Sequence, residues 1–96
     1  MTSSATPAFA FALPDNVDRS AAAEMAHAFA GAIQSGKDVI IDGSKVTHIG
    51  QAGLQILLTG FASARQRGSK FDITQPSDSF NAAASLAGAS GLLGLS

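Results

Sequence analysis

A chain of 96 residues, 46% hydrophobic and 14% charged, is long enough for one packed domain and too short for two. Its formal charge of −1 gives no support to a nucleic-acid binder or a polybasic membrane contact. The absence of cysteine excludes disulfides, thiol catalysis and thiolate metal sites.

Met1 to Pro7 has neither the basic start nor the apolar stretch of a signal peptide, and reads as a tail (residues 1–7) before a domain at residues 8–96. No apolar run approaches the roughly 20 residues that span a bilayer. A cytoplasmic protein is expected.

Phe9, Phe11 and Leu13 alternate with alanine and predict a strand ended by Pro14-Asp15-Asn16. From Asp18 to Ser35 the pattern is helical, with Met25, Phe29 and Ile33 every four residues. Asp18 or Ser20 can cap this helix, and Gly36 can stop it. Val39-Ile40-Ile41 is a continuous β-branched run, which predicts a central strand covered on both faces. Asp42-Gly43-Ser44 reads as a turn, and Val46 to Ile49 as a short strand.

Gly50 to Arg67 predicts the second long helix, because Leu54, Leu57, Leu58 and Phe61 follow i, i+3, i+4, i+7. Arg65 and Arg67 suit the negative end of its dipole. Residues 70–74 alternate as a last strand. Ser77 can cap a third helix over about 78–87, with Phe80, Ala84 and Ala87 inward. Leu92, Leu93 and Leu95 read as a docked terminal turn. The order, βαββαβα, predicts an α/β domain with a mainly parallel four-stranded sheet and three main helices.

Catalytic residue types are scarce. His27 falls on the polar side of its helix, and His48 ends a short strand with no second ligand at metal spacing. Acidic residues stand singly. Asp42 closes an apolar strand, where α/β folds place their sites, but Asp there also serves simply to form a turn. Gly50 and Gly53 open the second helix. They would either expose amides to an anion or permit a tight turn and close packing. No cofactor fingerprint is present, so neither cofactor nor enzymatic activity is expected.

Gln51, Gln55, Thr59 and Ser63 repeat every four residues on the second helix. The stripe is polar and uncharged, so it can be desolvated without burying an ion. It reads either as a protein-docking face, since interface cores are depleted of charge, or as an ordinary exposed face of a low-charge protein.

Residues 39–58 resemble the signature of STAS domains, the family of sulfate-transporter and anti-sigma-factor-antagonist domains. Val39-Ile40-Ile41-Asp42-Gly43-Ser44 and Ile49-Gly50-Gln51-Ala52-Gly53-Leu54 follow that pattern. It runs as an apolar strand, Asp-Leu-Ser, an apolar position, then Asp-Ser-Ser-Gly-Leu opening a helix. Arg65-Gln66-Arg67-Gly68, Pro76-Ser77 and the Gly-Leu-rich end extend the likeness over about residues 9–93.

The resemblance implies a non-catalytic regulatory module that binds a signalling protein, a histidine kinase or anti-sigma-type kinase, as in bacterial chemotaxis and signalling operons. The docking surface it implies includes Ser44, Thr47, His48, Gly50, Gln51, Gln55, Thr59 and Ser63. Two departures stand out. The serine that kinases phosphorylate in this family is matched by Gln51, which has no hydroxyl, and the preceding Asp by Gly50. Ser44 matches the earlier serine of the pattern. The usual leading hairpin is represented by one strand, so a free sheet edge is expected to allow pairing with a second copy. The alternative reading is a STAS protein that binds a nucleotide or serves lipid-transport machinery.

Overall fold

The structure, a computed structural model, describes residues 8–88. The expected tail at 1–7 and the turn at Leu92, Leu93 and Leu95 lie outside the described residues. The elements are β1 (Ala8–Ala12), β2 (Asn16–Val17), α1 (Arg19–Gln34), β3 (Asp38–Asp42), β4 (His48–Ile49), α2 (Gln51–Gln66), β5 (Phe71–Thr74) and α3 (Asp78–Leu86). This is the expected small α/β domain with three helices, and every strand pairing is parallel.

The helix boundaries follow local chemistry. The Asp18 carboxylate caps α1 by accepting the Ala21 N–H at 2.9 Å, which satisfies one of the orphan amides of the first turn. Gly36, at φ 75°, ends α1 in the left-handed region that glycine occupies without steric cost. Ser77 caps α3 by accepting the Phe80 N–H at 3.0 Å. Its hydroxyl also donates to the Val46 carbonyl at 2.6 Å, so one side chain both starts α3 and ties it to the loop before β4.

The main sheet has three strands in the order β1-β3-β5. Val39 stands beside Phe9 and Phe71, and Ile41 beside Phe11 and Ile73. These alternate positions meet the helices. Phe29 of α1 packs edge-on against Phe11 at 5.4 Å and Phe71 at 5.5 Å, arrangements that add to the energy of burial itself. Phe29, Met25, Leu13, Leu57 and Phe80 are all within 2% of full burial, and each such side chain contributes about 1.5–3 kcal/mol of transfer energy.

The structure corrects several details. β4 lies outside the main sheet and pairs with β2, Asn16 beside His48 and Val17 beside Ile49. The polar run after β1 therefore contains a two-residue strand. It has no sequence signal because its pairing is supplied entirely by the partner strand. Val46 is buried in the turn, ahead of the paired residues.

Among the described residues, β3 is not covered on both faces. Ile40 is 38% exposed and shares an open face with Ala10 and Asp72. An unbroken β-branched run does not reveal that only its alternate residues meet a helix. Ala87 follows α3 and is exposed. The buried stripe of α2 is also rotated from the expected one, to Gly53, Leu54, Leu57, Gly60 and Ala64. Leu58 and Phe61 are only half-buried.

Candidate docking surface

The loop from Asp42 to Gly50 is held from three sides. The Asp42 carboxylate accepts the Ser44 N–H at 2.9 Å. This hydrogen bond is the main reason the carboxyl is held below its ordinary range, with the Ser44 side chain and then Lys45 adding to it against slight desolvation. Of the two readings of Asp42, the turn-forming one describes this geometry.

The Gly43 N–H donates to Thr74 O, and the Ser77 N–H donates to Gly43 O, both at 3.0 Å. On the other side, Asp15 O accepts the Thr47 N–H at 2.7 Å, the His48 N–H at 3.0 Å and the Thr47 hydroxyl at 3.0 Å. The Gly50 N–H donates to Val17 O at 3.1 Å. These bonds fix the point at which α2 begins.

α2 starts at Gln51 with Gly50 as its N-cap and no side-chain capping bond. Gly53 faces Val17 and Ile49 so closely that a Cβ would stand 2.7 Å from Val17 Cγ1. Its missing side chain is thus explained by close packing. Gln51 is exposed on the first turn, where a serine would present its hydroxyl.

The expected docking residues fall in two groups, one in the loop and one along α2. Ser44, Thr47 and His48 are exposed in and after the loop, Gly50 is half-buried, and Gln51, Gln55 and Thr59 are exposed along α2, with Ser63 half-buried. At a rise of 1.5 Å per residue, Gln51 to Ser63 spans about 18 Å. The structure therefore separates the loop residues from Thr59 and Ser63, which lie on the third and fourth turns.

Thr59 and Ser63 are also more than surface positions. They line a groove of about 260 Å³ between α1 and α2, with Ala26, Ala30 and Ile33 on one wall and Ile56 on the other. The apolar repeat in the sequence placed Ile33 in the helical stripe but gave no sign of the groove. The same spacing makes a core stripe and a groove wall, and only the partner helix distinguishes them. Arg67, read from sequence as a dipole partner, continues the four-residue line and lines the groove too.

Among the described residues, no group of three His, Asp or Glu side chains is placed to hold a metal ion, and no helix is long and apolar enough to cross a membrane. The sequence matches the family model described as "Mlab, STAS domain" over residues 4–94. No curated protein matches the chain.

Proposed function

This chain belongs to the STAS domain family, and from that premise we propose that it is a bacterial signalling module that docks on a kinase or anti-sigma-type partner in the cytoplasm. Domains of this family are generally regulatory protein-interaction modules and generally non-catalytic. The observation that carries the finer reading is the exposed, uncharged line Gln51, Gln55 and Thr59, continued by half-buried Ser63. It lies beside a loop whose backbone is fixed by Asp15 and Thr74. A surface that is already ordered and carries no ion loses little entropy and little ion solvation when a partner covers it.

With Gln51 in place of a serine, regulation comes from partner abundance or competition. A phosphate at that position would add nearly two negative charges at a helix N-terminus, and glutamine cannot accept one.

The test is affinity purification of the tagged protein from its native lysate beside Thr59→Arg. The wild type should enrich a kinase or sigma-regulatory protein, and the equally stable mutant should lose it. Retention of that partner by a folded Thr59→Arg protein removes the proposed surface. Among the described residues β1 ends the main sheet, which supports a second contact, strand pairing between two copies. A monomer mass by light scattering at high concentration would count against it.

A further inference from the structure

We infer that the groove between α1 and α2 receives an acidic amphipathic helix of the partner, with its apolar side chains on the groove floor and its carboxylates toward Arg67. This rests on the docking reading above and specifies what docks.

Two independent features lead to it. The first is the groove. α1 contributes Ala26, Ala30 and Ile33, and α2 contributes Ile56, Thr59 and Ser63. The α1 wall repeats every three to four residues over two turns, roughly 10 Å at 1.5 Å per residue. That is the footprint of a helix presenting anchors at i, i+3 or i+4, and i+7. Ala30 is exposed, and the small residues at 26 and 30 keep the wall low enough for a close approach.

The second feature is the charge at the end of the domain where α2 finishes. Arg67 lines the groove itself, while the Arg65 guanidinium lies over the Phe61 ring, outside the groove. Lys37 immediately precedes β3, Lys70 immediately precedes β5, and Arg65 and Arg67 close α2. All four are exposed, and they are four of the six Lys and Arg residues in the chain. β3 and β5 are parallel neighbours, so their starts lie at the same end of the sheet, where α1 and α2 both finish.

The carboxylates near this end are few. Asp38 accepts the Lys70 N–H at 2.9 Å. Asp72 lies on β5's open face, away from the helices, and Glu24 lies ten residues before the end of α1. Acidic residues gather instead at the far ends of the strands, at Asp15, Asp18, Asp42 and Asp78. The small net charge of −1 therefore conceals a basic pole, which attracts an acidic partner and repels a basic one. Among the described residues a second copy of this chain offers no acidic helix face, because α1 carries only Glu24, α2 carries no acid and α3 carries only Asp78.

The test uses two synthetic 16-residue amphipathic helices with the same leucine face, one with glutamates on the polar face and one with lysines. Binding to the full chain is followed by amide chemical shifts. The glutamate peptide should shift Ala26, Ala30, Ile33, Thr59 and Ser63. It should bind at least tenfold more tightly than the lysine peptide and lose at least fivefold in affinity in Arg67→Glu and in Ala30→Trp, which fills the groove.

Equal binding of the two peptides, or shifts confined to other surfaces, overturns the proposal. So does phosphatidylglycerol vesicles binding the protein and displacing the glutamate peptide, which would make the basic pole a lipid contact. A natural partner that is lost with Gln51→Arg yet retained by Ala30→Trp and Arg67→Glu would refute the groove and leave the docking reading intact.

Discussion

Gly60 of α2 lies directly against the ring of Phe71 in β5. A Cβ at residue 60 would stand 2.8 Å from Phe71 Cε2 and 2.9 Å from its Cζ. The ring has little freedom to retreat, since Phe29 and Phe61 pack edge-on against it at 5.5 and 6.4 Å. The absent side chain therefore sets how closely α2 approaches the sheet.

Gly60→Ala consequently sets a helix-propensity gain of about 1 kcal/mol against an overpacking cost of about 1–3 kcal/mol, and a net loss of stability is expected. Gly31, also inside a helix, has nothing within 4 Å of an added Cβ, so Gly31→Ala should stabilise by up to about 1 kcal/mol. Thermal unfolding followed by circular dichroism checks both, and a stabilised Gly60→Ala would mean that the Phe71 ring yields.

Ser77→Ala removes two hydrogen bonds together, the cap on Phe80 N–H and the tie to Val46 O. Each is worth about 1 kcal/mol, so a loss of about 2 kcal/mol is expected in urea unfolding. Ser77→Asp keeps the cap but cannot donate to Val46, and should recover about half. Full recovery would show that the tie to the loop contributes nothing.

Gly50→Asp should stabilise the protein by about 0.5 kcal/mol. The position has extended backbone, φ −85° and ψ 175°, and an added Cβ meets only Val17 O at 3.9 Å. An aspartate there supplies the missing cap, places negative charge at the helix N-terminus and restricts the unfolded chain. A lowered melting temperature would show that the docked loop tolerates no side chain at this point.

The Asp42 carboxyl is held below its ordinary value, first by the Ser44 N–H. A depressed folded-state value means that its contribution is complete above the ordinary carboxylate range, near pH 4, and fades as pH falls through the lowered value. The stability difference between wild type and Asp42→Asn should thus be constant from pH 5 to 7 and shrink below pH 4. An unchanged difference at pH 2.5 would assign it to hydrogen-bond geometry and not to charge.

By itself, the sequence determined what depends on neighbouring residues. The three helices, their caps at Asp18 and Ser77 and the stop at Gly36 were legible because capping bonds and apolar repeats close within a few residues. The family pattern at residues 39–58 and the uncharged line on α2 were legible for the same reason. Tertiary structure decided whatever needs a second segment. Asn16–Val17 is a strand only because His48–Ile49 lies beside it. Ile40 faces outward because, among the described residues, only one side of β3 meets helices, and Ala26 and Ile33 became groove walls only when α2 lay alongside them. Pairing, burial and grooves are properties of two surfaces in contact, and a chain read one residue at a time contains only one of them.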